Sequence, residues 1–101
     1  MEKNNKKILQ FFSALSDETR FNILLTLVDG SKSVGEIYKI VGDNITLSAV
    51  SHQLRKLEDS EVVISKKQGR EKFFELSGYF CWCMLRDAIK HFQNKKLRRK
   101  K

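Results

Sequence analysis

Apolar residues along this chain recur with a helical period over most of its length and with a strand period over one short stretch. In KKILQFFSAL, Ile8, Leu9, Phe12 and Leu15 share one helical face. Ser16 is the expected cap of a second helix, DETRFNILLTLVDG, which Gly30 would end. Its Phe21, Leu24, Leu25 and Val28 keep a 3.6 period, and Ile23 and Leu27 widen the stripe, as expected of the most buried helix. Ser33 caps a short third helix, VGEIYKIVG, with Glu36 three residues on as a capping box requires and Gly42 as its stop. After the turn DNI, Thr46 starts a fourth helix, LSAVSHQLRKLEDS, in which Leu47, Val50, Leu54 and Leu57 form one core-facing stripe. Val63 to Lys67 and Lys72 to Leu76 then read as two strands around Lys-Gln-Gly-Arg, where Gly69 supplies a turn conformation that a Cβ would resist. An amphipathic helix from about Gly78 to Asn94 and a basic tail complete the chain.

Four helices, a hairpin and a final helix make the expected fold class mainly α with a small β-hairpin. The third and fourth helices form a helix-turn-helix pattern. Residues 1–94 are expected to be one domain and residues 95–101 a disordered basic tail. At 101 residues a single small core leaves apolar surface partly exposed in a monomer, which makes dimerisation plausible. The apolar runs are too short to cross a membrane, and MEKNNKK lacks the apolar stretch of a signal peptide. The expected location is cytoplasmic, where the two cysteines would be thiols.

The formal charge of +8 calls for an anionic partner, and its distribution sharpens the point. The cations concentrate in the tail (Lys95, Lys96, Arg98, Arg99, Lys100, Lys101) and in the hairpin from Lys66 to Lys72, leaving the rest of the chain near neutral. With its stripe on the core, the fourth helix presents Ser48, Ala49, Ser51, His52, Gln53, Arg55 and Lys56 outward. Small residues in the first turns let a helix enter a major groove closely, while Ser, His and Gln can bond base edges or phosphates. Double-stranded DNA is therefore the expected partner. A catalytic role finds no support: there is no phosphate-cradling glycine loop, no paired carboxylates in an apolar setting, and no base placed beside Cys or Ser by a recognisable motif.

The stretches SALSDETRFNILLTL, SVGEI and SAVSHQLRKLEDSEVVISKKQGREKFFEL resemble the opening helices, the third helix, and the recognition helix and wing of the ArsR/SmtB family of prokaryotic winged-helix repressors. The likeness spans roughly residues 10–92. It implies a winged helix-turn-helix homodimer, paired through its first and last helices, that sets one recognition helix of each protomer in successive major grooves of a palindromic operator. The DNA contacts it implies are Ser48, Ala49, Ser51 and His52, supported by Gln53 and Arg55, with Lys67, Gln68 and Arg70 in the wing. The expected dimer interface draws on Phe12, Cys81, Met84, Leu85, Ala88, Ile89 and Phe92. Two departures stand out: the turn GDNITLSAVS is about two residues longer than usual, and Leu47 stands where the family often has a polar side chain.

Many members of that family lose DNA affinity on binding a metal. Here Ser33 takes the usual cysteine place of one such site, and the positions of the other correspond to Gly78, Phe80, His91 and Asn94, of which only His91 is a ligand type. No metal and no cofactor are expected. Cys81 and Cys83, two apart in a continuous helix, would point about 200° away from each other and could not join without unwinding. They read as small hydrophobes of an apolar helix face. Two alternatives stand beside the metal-independent repressor: a thiol- or metal-responsive one using Cys81, Cys83 or His91 at the interface, and a winged-helix protein-interaction module. The effector, if any, is unknown.

Overall fold

The computed structural model describes residues 2–78 and 82–93. Helices α1 (Glu2–Ser16), α2 (Glu18–Thr26), α3 (Val34–Val41) and α4 (Leu47–Asp59) precede strands β2 (Val63–Gln68) and β3 (Glu71–Leu76), and α5 (Cys83–Gln93) follows them. A short strand β1 (Lys32–Ser33) lies between α2 and α3. It pairs antiparallel with β3, Lys32 opposite Phe74, so the sheet has three strands in the order β1-β3-β2 where the sequence indicated a hairpin alone. Two residues in isolation carry no period; the strand exists because the free edge of β3 needs a partner for its backbone groups.

The helix ends obey local chemistry. Asp17, not Ser16, caps α2: its carboxylate accepts the Arg20 N–H at 3.0 Å. Ser16 instead ends α1 and donates to the Ser13 carbonyl. Both are good capping residues, so composition alone could not choose between them. Helix α2 also stops at Thr26, before the expected Gly30, and residues 27–29 continue as turns. At α3 the full capping box forms: Ser33 Oγ accepts the Glu36 N–H at 3.2 Å and Glu36 returns a carboxylate to the Ser33 N–H at 2.8 Å. Gly42 is the C-cap of α3, and the added turn residues Gly42–Asn44 wind into one 3₁₀ turn. Thr46 then caps α4 by accepting the Ala49 N–H at 3.1 Å.

The core gathers Ile23, Leu24 and Leu27 from α2 and its exit, Ile37 from α3, Val50, Leu54 and Leu57 from α4, and Val62, Val63 and Phe74 from the wing. From α2 and its exit, Ile23 and Leu27, the residues that widened the stripe, lie in the core with Leu24, while Phe21, Leu25 and Val28 of the expected stripe are only half-buried. Two further expectations change. Leu47, placed with the α4 stripe by period, is 47% exposed. In α1 it is Ala14, with Phe11 and Leu15 packed beside it, that faces the core, while Ile8, Leu9 and Phe12 stand in solvent. The last helix starts at Cys83, well after Gly78. Residues 79–81 and 94–101, and with them Cys81, Phe80, Asn94 and the basic tail, lie outside the described residues.

Candidate nucleic-acid interface

Three buried side chains, Val50, Leu54 and Leu57, fix the roll of α4 about its axis. That leaves Ser48, Ser51, His52, Arg55 and Lys56 exposed and Ala49 and Gln53 half-buried. No acidic residue occupies its first turn, so the positive end of the helix dipole meets an anion without a competing carboxylate, although Thr46 already takes the Ala49 N–H. Gln53 is turned toward α2: its side-chain oxygen accepts from Arg20 Nη1 at 3.1 Å. A guanidinium only donates, so this contact assigns the oxygen of the Gln53 amide to the protein and leaves its NH₂ to point away. Arg20 is a member of the site that sequence reading missed, since the two residues lie 33 apart and no local pattern links them.

The wing is tied to α4 near the helix's far end. Glu58 accepts a short hydrogen bond from the Ser65 hydroxyl and lies 3.6 Å from Lys72 Nζ. Lys72 also sits 5.4 Å from the centre of the Phe74 ring, a cation–π contact. Lys66 faces Glu75 at 3.9 Å. These are contacts of small individual worth; only the Glu58 contacts join the hairpin to α4, while Lys66–Glu75 and Lys72–Phe74 lie within the hairpin itself. At the tip, Gln68 pairs with Glu71 and Gly69 takes φ +64° to close the turn, one residue tighter at each side than expected. Lys67, Gln68 and Arg70 are exposed there, and among the described residues neither Lys67 nor Arg70 has an acidic partner. Of the wing's cations, the two without an acidic partner among the described residues are those at the tip.

A second surface is apolar. In α1, Ile8, Leu9 and Phe12 are 51%, 68% and 52% exposed; in α5, Met84 and Phe92 are 69% and 68% exposed. Leu85 and Ile89 are half-buried and Ala88 is exposed. The two helices are linked where Phe11 meets Trp82, ring centres 6.1 Å apart, and Trp82 donates its indole N–H to the Ser77 carbonyl at 2.7 Å.

Ser33 is buried and its hydroxyl is occupied in the α3 cap, and among the described residues no three His, Cys, Asp or Glu side chains come together. His91 packs edge-on to Phe92. Cys83 is disulfide-bonded and so is not the free thiol that the sequence reading took it for. Helix α5 begins at Cys83, and Cys81 lies outside the described residues.

Capped helices, a solvent-facing fourth helix and an attached basic hairpin define a winged helix-turn-helix domain. Residues 17–65 match the model of the bacterial regulatory protein, arsR family, and the chain belongs to that family of transcriptional regulators. It is 34% identical over 77 residues to the transcriptional activator HlyU of Vibrio cholerae, covering 76% of this chain and 69% of that one. The solved structure of V. cholerae HlyU superposes with a TM-score of 0.75 at 30% identity, over 92% of this chain and 97% of that one. A transcriptional repressor SmtB homolog of Synechocystis is 28% identical over 88 residues, 87% of this chain and 65% of the relative. The homodimeric winged helix-turn-helix domain of Mb0332 from Mycobacterium bovis shares the fold, with a TM-score of 0.79 at 18% identity over 93% of this chain and 88% of that one. The chain spans about two thirds of the length of these two curated relatives. No helix among the described residues is long and apolar enough to cross a membrane.

Proposed function

We propose that this chain is a homodimeric repressor that binds a palindromic duplex operator, with Ser48, Ala49, Ser51 and His52 of α4 in the major groove and Lys67, Gln68 and Arg70 of the wing on the flanking backbone. The observation that carries it is the α4 surface: an acid-free first turn of small and hydrogen-bonding side chains, flanked by the only unpaired cations of the wing among the described residues. Dimerisation rests on the exposed apolar faces of α1 and α5, an extent of aromatic and aliphatic surface that a lone domain leaves in water only at a cost. A two-fold pair would double both the reading heads and the phosphate contacts. The family's named relatives include both an activator and a repressor. The reading as repressor takes up the role named for the SmtB homolog and for a biofilm growth-associated repressor. No chemical step, metal or cofactor is assigned.

The test is a fluorescence-anisotropy titration against the chain's own upstream DNA and a scrambled duplex across a salt series. His52→Ala should weaken binding to the first much more than to the second. Arg70→Ala should weaken both and lower the salt slope by about one. Equal losses on both duplexes for His52→Ala would remove α4 as the reading element.

The disulfide at Cys83 favours a second reading, in which DNA affinity responds to thiol oxidation at the start of α5. Affinity that changes between dithiothreitol and diamide in the wild type but not in Cys83→Ser would select it.

A further inference from the structure

We infer that Leu47 is a specificity-determining residue that reads the C5-methyl group of a thymine in the major groove. The inference rests on the DNA-binding reading above and deepens it. Leu47 opens α4, immediately after the capping Thr46. By period it belongs with Val50, Leu54 and Leu57, yet those three are fully buried and Leu47 is 47% exposed. The core therefore ends one turn short of the helix, and the first turn of α4 projects beyond it. On that turn Ser48 is exposed and Ala49 half-buried, and Ser51, four residues on, shares the flank of Leu47.

The N-terminal residues of a recognition helix are the ones that meet base edges. Small neighbours at 48, 49 and 51 let the backbone come close, and Leu47 is the one large apolar side chain the exposed part of that turn carries. Leucine has no donor or acceptor. Over either pair it strips water from groove-facing polar groups (N7, O6 and N4 of G·C; N7, N6 and O4 of A·T) and replaces none of their hydrogen bonds, and G·C offers nothing in return. Over A·T it finds the thymine methyl, the apolar group that the major groove displays. A single exposed leucine on a protein surface is ordinary. What singles this one out is its place at the reading end of α4, away from the apolar faces of α1 and α5.

The experiment uses the full chain and a randomised duplex library. From the enriched duplex, each thymine is replaced in turn by deoxyuridine, which removes only the methyl, and affinities are measured for the wild type, Leu47→Ala and Leu47→Gln. The expected result is one thymine per half-site at which methyl loss weakens the wild type about fourfold, the worth of one buried methyl, while neither variant responds to that loss. All other thymines should behave alike in the three proteins. The solvent position of Leu47 predicts unchanged melting of both variants by circular dichroism. If every thymine gives the same response in all three proteins, Leu47 reads no methyl and the inference falls while DNA binding stands. If no duplex is enriched, the DNA-binding reading itself fails and this inference goes with it.

Discussion

In α4, Val50, Leu54 and Leu57 are wholly buried, whereas α1 leaves Ile8, Leu9 and Phe12, and α5 leaves Met84 and Phe92, at least half exposed. Both regions are amphipathic helices with comparable stripes, and the difference is in what the stripe meets. The α4 stripe is met within the chain by α2, α3 and the wing, so α4 is fully packed by one chain. Helix α1 meets the core through Ala14, Phe11 and Leu15 and touches Trp82, just before α5, through Phe11, while Ile8, Leu9, Phe12, Met84 and Phe92 stay on the surface. If the proposed dimer forms through α1 and α5, the stability of the α4 half should be a property of the fold and that of the α1–α5 half a property of concentration.

Leu54→Ala gives the largest expected effect. The side chain is fully buried at the centre of the α4 stripe, and its truncation should cost about 2–5 kcal/mol in transfer and cavity terms. Chemical denaturation should show that loss at every protein concentration; a loss that vanished on concentrating the sample would put Leu54 at an interface and erase the contrast. Next comes Phe12→Asp. It places a charge on the pairing face, and forfeiting a buried phenyl together with desolvating the new carboxylate should weaken dimerisation by about 2 kcal/mol or more. Sedimentation should then report a monomer whose circular dichroism is unchanged. A variant that stays dimeric would place the interface elsewhere than α1.

How much of this was legible beforehand follows the same division. Caps and stripes are local, so Ser33 with Glu36, Thr46, Gly69 and the core role of α2 could be read directly from spacing. A period, however, gives a direction and not a depth. It placed Leu47 and Leu9 on apolar faces without saying where the core ends along α4, or which side of α1 it lies on. Features that depend on distant partners left no trace: the two-residue strand β1 is called up by the edge of β3, and the Arg20–Gln53 contact spans two helices. The choice of Asp17 over Ser16 as cap turned on which of two equivalent oxygens reaches the helix. Of the outward residues of α4, Gln53 is the one whose direction only the fold reveals.

Ser33→Ala probes the reading half more gently. The hydroxyl caps α3, the first helix of the helix-turn-helix pair, and its removal leaves the Glu36 N–H without that acceptor. The expected cost is about 1 kcal/mol, seen as a lower denaturation midpoint with the dimer constant untouched. A weakened dimer would mean that α3 supports the pairing face after all.

The smallest expected effect is a gain. Helix α4 ends in a Schellman arrangement: the Val62 N–H reaches the Leu57 carbonyl and the Glu61 N–H the Glu58 carbonyl, each at 3.0 Å, with Glu61 at φ +62°. This left-handed position is the usual place of glycine, and a Cβ there is strained by about 1–2 kcal/mol. Glycine would relieve the strain and give back part of it through the greater entropy of the unfolded chain, so Glu61→Gly should stabilise by roughly 0.5–1 kcal/mol. The glutamate also sits at the negative end of the helix dipole, so removing its charge contributes a few tenths of a kcal/mol on its own. Glu61→Ala separates the two causes, because it removes the charge and keeps the Cβ. A urea midpoint that rises for Gly and barely moves for Ala assigns the strain to the backbone at the junction of α4 and the wing. Equal rises for both would assign it to charge, and no rise for Gly would mean that the turn into β2 holds Glu61 in this conformation without strain.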